Sequence, residues 1–204
     1  SKICLLKFKL FLEDIKNQVI GIDEVGRGAF CGPVVSCSVL LKVKILEDVR
    51  VHQINDSKTL SEKKRISIAD FIKRNSIYSI GYASNKEIDS INILKATNLS
   101  MTRSYETFKK TNNLVKIDGN KSFFLNERTT FLKGGDKRSV SIAAASILAK
   151  CWRDKLMIRY SKIYPMYGWN KNKGYGTLEH QNAIKKYGIT KIHRKSFLRN
   201  LLGH

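Results

Sequence analysis

Short apolar runs rich in β-branched residues recur along the chain and are typical of buried strands. They lie at residues 19–22, 34–41, 78–83, 114–117 and 130–132. Segments with apolar residues at helical spacing lie at 62–74, 84–110, 139–160 and 178–187. Ser61 and Thr177 stand at N-cap positions, and Ser84 with Glu87 fits a capping box. Strands interleaved with helices predict an α/β or mixed α+β fold.

The length of 204 residues suits one compact unit. We divide it into a main domain over residues 1–163 and a helical extension over 164–204, where the sequence becomes aromatic, glycine-rich and basic. No apolar run approaches the roughly 18–20 residues that span a bilayer, and lysines interrupt the apolar amino end. We therefore expect a cytoplasmic protein without a signal peptide or membrane span.

The four cysteines are Cys4, Cys31, Cys37 and Cys151. They form no Cys-x-x-Cys pair and have no nearby histidine at zinc spacing. We expect reduced, mostly buried thiols of a cytosolic protein.

Basic residues greatly outnumber acidic ones. Lysine and arginine number 38 against 17 acids, which gives a formal charge of +21. This excess favours a polyanionic partner, above all nucleic acid. A genome that favours lysine codons would give the same bias, so charge alone does not decide the function.

Residues 19–28 carry the most informative pattern. Asp23 and Glu24 interrupt an apolar strand, although a buried carboxylate is costly unless it is paired or bound to a cation. Gly26 and Gly28 flank Arg27, where the backbone can closely approach another molecule. The combination predicts a site for a metal and a phosphodiester. An edge-strand Asp-Glu followed by an ordinary glycine turn is the alternative.

Two further acids share this setting, since Asp118 ends a later strand and Asp136 precedes the helix at 139–160. Strand ends in an open α/β sheet meet in one crevice, and Mg²⁺ prefers carboxylate oxygens. Two ions about 3.5–4 Å apart would activate water and stabilise a leaving oxygen. Taken singly, Asp118 also fits an ordinary turn and Asp136 an ordinary helix cap, so the joint arrangement carries the prediction. For Asp154, among cations in mid-helix, an ion pair is the better interpretation.

Several sequence blocks then match one known family in the right order. They are residues 21–28, 32–35, 56–65, 117–120, 141–150, 173–177 and 192–197, together with Arg153, Asp154 and His180. With these blocks the chain resembles the type 2 ribonucleases H, the ribonuclease HII family, from about Ile20 to Phe197.

The resemblance implies an α/β fold of the RNase H type: a five-stranded mixed sheet flanked by helices, with a helical C-terminal extension. It implies an endoribonuclease that hydrolyses RNA in RNA–DNA hybrids and nicks 5′ of single ribonucleotides in duplex DNA, as in ribonucleotide excision repair. The products would carry 3′-hydroxyl and 5′-phosphate ends. In family terms Asp23, Glu24, Asp118 and Asp136 would be the catalytic acids and would bind two Mg²⁺ or Mn²⁺ ions.

The resemblance also implies substrate contacts. The 26–28 segment would read the ribose 2′-hydroxyl through backbone atoms, and Tyr175 would pack on the adjoining deoxyribose. A loop aromatic packing on its own chain is the alternative for Tyr175. Ser57, Lys58 and Ser146 would contact phosphates. The implied partners are RNA–DNA hybrids and ribonucleotide-containing duplex DNA, bound by a monomer, and a sliding clamp contacted by the C-terminal tail is a further candidate.

Two departures from the family pattern stand out. The family has Lys-Gly-Asp before the long helix, whereas this chain has Lys133-Gly134-Gly135-Asp136. Counting back from Ser146 keeps Asp136 in the family position and displaces Lys133. In addition, residues 29–31 (Ala-Phe-Cys) replace a small or proline-containing stretch.

Other functions stay open at this point. A DNA-specific nuclease or resolvase of the same fold would have no need to read a 2′-hydroxyl. A basic binding module without catalysis is opposed by the clustered acids. A Ser/His/Asp hydrolase is least favoured, because no Gly-x-Ser-x-Gly element occurs.

Overall fold

The computed structural model describes residues 2–56, 59–121, 123 and 125–203. A five-stranded sheet with strand order β3-β2-β1-β4-β5 forms its centre. The strands are β1 (Ile20–Val25), β2 (Val34–Leu41), β3 (Ser76–Ala83), β4 (Val115–Asp118) and β5 (Thr129–Leu132). The β1–β2 and β2–β3 pairs are antiparallel, whereas the β1–β4 and β4–β5 pairs are parallel. The predicted mixed sheet is thus confirmed.

Helices flank the sheet and form the C-terminal region. The α-helices of the described residues are α1 (Lys2–Lys16), α2 (Glu62–Arg74), α3 (Asn85–Ile91), α4 (Ile93–Tyr105), α5 (Val140–Ile163), α6 (Trp169–Asn172), α7 (Leu178–Tyr187) and α8 (Arg199–Leu202). Segments of 3₁₀-helix lie at Val43–Glu47, Val49–Asp56, Glu106–Phe108, Gly135–Lys137, Pro165–Tyr167 and Lys195–Phe197. Among these residues, no helix is long and apolar enough to cross a membrane.

Helix α5 packs very closely on the central strand β1. A Cβ atom added to Gly21 of β1 would lie 2.1 Å from the carbonyl carbon of Ser141, so only glycine fits there. The first turns of α5 contain the small, buried residues Ser141, Ala143, Ala144 and Ala145. Helices α1 and α2 complete the apolar core on this side of the sheet.

Helix α4 covers the other face of the sheet through paired serines. Ser36 of β2 and Ser100 exchange a 2.5 Å hydrogen bond between their hydroxyls, and Ser38 and Ser104 exchange one of 2.7 Å. Because each buried hydroxyl has a partner, the small side chains bring helix and sheet together without an unsatisfied polar group.

The helix predicted over residues 84–110 is wrong in its length. The predicted capping box of Ser84 and Glu87 does form, but the helix ends at Ile91. Asn92 has a φ of 71°, and its side chain accepts a hydrogen bond from the Lys95 nitrogen at 3.0 Å. Asn92 therefore ends α3 and caps a second helix, α4. Leu94, in the first turn of α4, is 48% exposed.

Other element boundaries differ from the predicted ones by a few residues. Strand β1 continues to Val25, so Asp23 and Glu24 lie within the strand. The helix predicted to begin near Ser139 does so, with Ser139 as its cap, but it continues to Ile163. The sequence did not reveal α1, since lysines are spread among its apolar residues. The described cysteines form no disulfide with one another; Cys31 and Cys37 are buried, Cys151 is half-buried and Cys4 is exposed.

The residues after Tyr164 form an apolar cluster with the loop between β1 and β2. Its buried members include Trp169, Tyr167 and Ile184 from the C-terminal region and Cys31 from the loop. Met157 of α5 belongs to the same cluster. The C-terminal region therefore packs directly on the segment that follows the two acids of β1.

Candidate active site

Asp23 and Asp118 lie at neighbouring ends of two parallel strands. Ile22 of β1 pairs with Ile117 of β4, so the next residue of each strand is an aspartate at the same edge of the sheet. Asp23 also presents Oδ1 to the main-chain nitrogen of Glu24 at 2.8 Å. Three of the four predicted acids are thus brought together by strand pairing.

The electrostatics of this group are those of crowded carboxylates. Burial, together with the nearby carboxylates of Glu24 and Asp118, holds the pKa of Asp23 well above its ordinary value. The Ser146 hydroxyl, which hydrogen-bonds Asp23, acts in the opposite direction. Burial also raises the pKa of Glu24, and Arg27, whose Nη1 lies 3.9 Å from Glu24 Oε1, partly offsets it.

The fourth acid, Asp136, lies in the 3₁₀ turn that leads into α5 and is only 6% exposed. The preceding residue, Gly135, donates its main-chain N–H to Asp118 Oδ1 at 3.0 Å. This bond fixes the turn beside the end of β4. Gly134 adopts a left-handed φ of +64°, and Lys133 is exposed, so the chain accommodates its extra glycine in the turn.

The donor set fits a hard divalent cation. The carboxylates of Asp23, Glu24 and Asp118 lie at the ends of two paired strands. Asp136 lies in the turn that Gly135 joins to Asp118, and Asp136 and Asp23 are each only 6% exposed. Mg²⁺ and Mn²⁺ prefer such oxygen ligands.

The loop that follows β1 is held by hydrogen bonds from a buried side chain. The buried guanidinium of Arg194 donates to the carbonyl oxygens of Gly26 (2.6 Å), Arg27 (2.9 Å) and Gly32 (3.0 Å). Gly26 has a φ of +90°, and a Cβ atom there would lie 2.3 Å from Nε of Arg153. Gly26 is therefore required by the protein's own packing.

Gly28 differs from Gly26 in both respects. Its φ is outside the left-handed region, and a Cβ atom added to it would have no protein atom within 4 Å. Neither conformation nor packing within the described chain explains a glycine here. The open space above Gly28 lies in the loop that directly follows Asp23 and Glu24.

The other predicted contacts are placed as follows. Ser146 lies on α5 within hydrogen-bonding reach of Asp23, and Tyr175 follows α6 with its ring 5.5 Å from the Arg153 guanidinium carbon. Tyr175 is half-buried. Ser57 and Lys58 lie outside the described residues. The ion pair predicted for Asp154 is confirmed, with Lys150 Nζ 3.0 Å from its carboxylate.

Residues that sequence reasoning left without a role surround these loops. Four buried side chains lie beneath the loops at 26–33 and 173–176: Arg153, Arg194, His180 and His193. Their positions in the matching sequence blocks were the only signal available, because their long-range contacts do not show in local spacing. Arg153 donates to the carbonyls of Cys31 and Lys173 and so joins the two loops.

One cluster of possible metal ligands lies away from the acids. Cys31 Sγ and ring nitrogens of His180 and His193 lie within 4.8 Å of one another. Hydrogen bonds nevertheless account for the rings. The Thr190 nitrogen donates to His193 Nδ1 at 2.8 Å, and Trp169 Nε1 donates to His180 Nε2 at 3.1 Å. With those two nitrogens accepting, the 3.0 Å contact between the Nε2 atoms places the proton on His193, and both rings are neutral.

Comparison with known proteins identifies the family. The family model for Ribonuclease HII matches residues 20–200. The ribonuclease HII of Clostridioides difficile is 46% identical over 183 residues, which cover 89% of this chain and 70% of that protein. The ribonuclease HII of Pelagibacter ubique is 48% identical over 178 residues, which cover 87% of this chain and 94% of that protein.

Solved structures share the fold. A chain in the PCNA:RNase HII complex from Archaeoglobus fulgidus matches with a TM-score of 0.75 at 22% identity, covering 87% of this chain and 94% of that one. The ribonuclease H2 from Pyrococcus horikoshii matches with a TM-score of 0.71 at 22% identity, covering 90% and 96%. Bst-RNase HIII in complex with Mn²⁺ matches with a TM-score of 0.69 at 18% identity, covering 91% and 69%. The chain has the RNase H-like fold and belongs to the ribonuclease HII family of metal-dependent endonucleases, which cut RNA in RNA–DNA hybrids.

Proposed function

We propose that the protein also nicks duplex DNA on the 5′ side of a single embedded ribonucleotide, leaving 3′-hydroxyl and 5′-phosphate ends. Residues 26–28, hereafter the reader segment, would contact the 2′-hydroxyl. The observation that carries the proposal is Gly28, whose lack of a side chain serves no need of the protein itself. Its location next to Asp23 and Glu24 suits a group that must lie against the backbone beside the scissile phosphate.

In this proposal Asp23, Glu24, Asp118 and Asp136 hold two Mg²⁺ or Mn²⁺ ions. Such ions, when bound, would supply a water of lowered pKa and neutralise charge on the leaving oxygen. The chain's own part is to hold the four carboxylates before substrate arrives, through the strand pairing of β1 with β4 and the Gly135–Asp118 hydrogen bond. Ser146 would orient the Asp23 carboxylate, in addition to the phosphate contact inferred for it from the family.

Tyr175 would select the nucleotide next to the ribose. A ring packed on a deoxyribose tolerates no 2′-substituent there, which favours RNA-to-DNA junctions. Arg153 holds the neighbouring Lys173 carbonyl at 2.6 Å, and this fixes the loop that carries the tyrosine. Ser57 and Lys58 are proposed as phosphate contacts on the strength of the family pattern alone. The extension over 164–204 would act with the main domain as one unit.

The test uses a DNA duplex that carries one ribonucleotide, beside an all-DNA duplex of the same sequence and an RNA–DNA hybrid. Each is incubated with Mg²⁺, with Mn²⁺ and with chelator, and the products are sized on a denaturing gel. Metal-dependent nicking 5′ of the ribonucleotide with the all-DNA duplex intact is the expected result. Cutting of the hybrid alone would restrict the protein to longer RNA, and cutting of all three would indicate a general nuclease.

A second proposal concerns partners. The Archaeoglobus fulgidus relative was solved in complex with PCNA, a precedent for a sliding-clamp contact. We infer that a monomer of this chain binds a clamp through its C-terminal tail, near α8. Leu201 and Leu202 of α8 are half-buried against the C-terminal cluster and keep exposed edges. Light scattering of the protein with and without a bacterial clamp would reveal its oligomeric state and any complex.

A further inference from the structure

Arg194 combines complete burial with an unusual set of partners. Its side chain is 0% exposed, and each of its three hydrogen bonds ends on a main-chain carbonyl rather than on a carboxylate. Burying a guanidinium with no carboxylate among its hydrogen-bond partners is costly, and burial accordingly lowers the pKa of Arg194 to about 9. An apolar side chain would fill the same space at less cost, so the position calls for the guanidinium itself.

The three carbonyls explain that need. Gly26 and Arg27 belong to the reader segment, and Gly32 ends the same loop. A guanidinium presents its donors in one rigid plane, so it fixes the directions of several carbonyls at once, as an ammonium on a flexible stem does not. The carbonyls of Gly26 and Arg27 are thereby turned inward, and the conformation of the reader segment is set.

A second buried arginine ties the opposite loop to this one. Arg153 donates to Pro33 and Cys31 at 2.9 and 2.8 Å, on the loop that contains the reader segment. Its remaining nitrogen donates to Lys173 at 2.6 Å, two residues before Tyr175. The guanidinium also lies 5.5 Å from the Tyr175 ring centroid. Arg153 therefore fixes the distance between the tyrosine and the loop at 26–33.

We propose that Arg194 is a positioning residue for ribose recognition, which holds the reader segment in its binding conformation, and that Arg153 sets Tyr175 in register with it. The inference rests on the proposed function, in which the reader segment contacts the 2′-hydroxyl. A loop that is ordered before substrate arrives loses no conformational entropy on binding. The two arginines act through main-chain atoms and touch no substrate.

The segment that carries Arg194 has an anchor of its own. The Asp89 carboxylate of α3 accepts hydrogen bonds from the nitrogens of Lys195 (3.0 Å) and Ser196 (2.9 Å). Asp89 is half-buried at the surface and does not contact the reader segment in any of these bonds. It offers a way to disturb Arg194, whose pKa the Asp89 carboxylate raises, without replacing the guanidinium itself.

The experiment compares Arg194→Lys with the wild-type protein and with Arg103→Lys. Arg103 is the control, because its Nη1 also donates to a main-chain carbonyl, that of Tyr82 at 2.9 Å. It differs from Arg194 in being exposed and ion-paired with Glu87, and it donates to none of the carbonyls of the reader segment. Two quantities are measured: kcat/KM on the single-ribonucleotide duplex with Mg²⁺, and Kd for the all-DNA duplex. We expect Arg194→Lys to lower kcat/KM by about 10–100-fold, as for a small misplacement of a binding group, and to leave Kd unchanged. Arg103→Lys should change neither.

A folded Arg194→Lys protein that retains wild-type kcat/KM would overturn the inference, as would an equal loss of all-DNA binding. If Arg194→Lys does not fold, Asp89→Asn is measured instead. We expect it to lower kcat/KM by less than Arg194→Lys would and to leave Kd for the all-DNA duplex unchanged. A wild-type kcat/KM in Asp89→Asn would overturn the inference. The wild-type protein is assayed first on the single-ribonucleotide duplex and the all-DNA duplex. Equal cleavage of the two by the wild type would refute the proposed function rather than this inference.

Discussion

The main-chain N–H of Gly135 donates to Oδ1 of Asp118 across 3.0 Å, joining the end of β4 to the turn that begins α5. This bond helps to explain how the turn accommodates the extra glycine in Lys133-Gly134-Gly135-Asp136. Gly134 takes a left-handed conformation and Gly135 packs against Ile142, where a Cβ atom would lie 2.6 Å from Cδ1. The turn therefore absorbs the additional residue, keeps Asp136 beside Asp118 and leaves Lys133 in solvent.

Asp23→Asn should abolish cleavage without loss of nucleic-acid binding. The change removes a ligand charge from the candidate metal site, and even outer-shell partners of metal ligands cost 10–100-fold when replaced, so we expect a loss of at least about 100-fold. Initial rates on the single-ribonucleotide duplex with Mg²⁺ measure it. Asp154→Asn is the control, because Asp154 is ion-paired with Lys150 on α5. Near-normal turnover by Asp23→Asn would contradict the metal assignment.

Divalent metal should stabilise the folded protein. Binding of a cation to the native state adds about 2.7 kcal/mol at a concentration 100 times its Kd, which raises Tm by several degrees in a chain of this size. Thermal melts with Mn²⁺ and with chelator measure the difference. In Asp118→Asn the increase in Tm on adding Mn²⁺ should be smaller than in the wild type. An equal rise in wild type and variant would place metal binding elsewhere.

Without metal, Asp23→Asn should instead be more stable than the wild type. Burial and the carboxylates of Glu24 and Asp118 disfavour the charge of Asp23, and the amide removes it. An increase of about 1 kcal/mol in the free energy of unfolding would raise Tm by about 2–4 °C. Melts in chelator test this, and a lower Tm for the variant would mean that its carboxylate is well compensated in the metal-free protein.

Gly28→Ala should reduce ribonucleotide cleavage while leaving stability unchanged. The added Cβ meets no protein atom within 4 Å, so any effect must come from the substrate. We expect a fall in kcat/KM of about 10-fold or more on the single-ribonucleotide duplex, as for a misplaced contact. Gly21→Ala is the contrasting variant, because its Cβ would lie 2.1 Å from the Ser141 backbone and should unfold the protein. A Gly28→Ala enzyme with full activity would argue against ribose contact at this glycine.

Acid should destabilise the C-terminal region through its buried histidines. Burial and the neighbouring His180 lower the pKa of His193 to about 3, and burial lowers that of His180. In the unfolded chain a histidine has a pKa of about 6.5, so below that pH it binds a proton that the folded chain does not bind. The histidines' contribution to stability is therefore fully present above about pH 6.5 and is lost as the pH falls toward 3. Each histidine contributes a slope of about 1.4 kcal/mol per pH unit.

Urea unfolding between pH 7 and pH 5 measures that slope. His193→Gln should flatten it, whereas His52→Gln, on an exposed ring that stacks on Phe8, should not. Because carboxylates are the same in all three proteins, their contribution cancels in the comparison. An unchanged slope in His193→Gln would show that this ring is protonated in the folded state.

The sequence by itself determined the sheet, its flanking helices and the candidate acids. Alternating and continuous apolar runs placed all five strands to within a few residues, since side-chain burial on a sheet leaves a local pattern. Asp23 and Asp118 were recognisable because charged residues are rare inside such runs. Local cap chemistry likewise fixed the starts of α2, α3 and α7 at Ser61, Ser84 and Thr177.

Tertiary structure alone decided how the loops around the acids are held. Asn92 divides a continuous helical pattern because its left-handed backbone lets α4 turn onto the sheet, which no local period reveals. Arg153 and Arg194 carry no local sign of burial in a chain with a charge of +21, yet both are fully buried. Both donate to main-chain carbonyls of residues 26–33, which lie more than a hundred residues away in the chain. Because any residue type supplies a main-chain carbonyl, the sequence does not mark such partners.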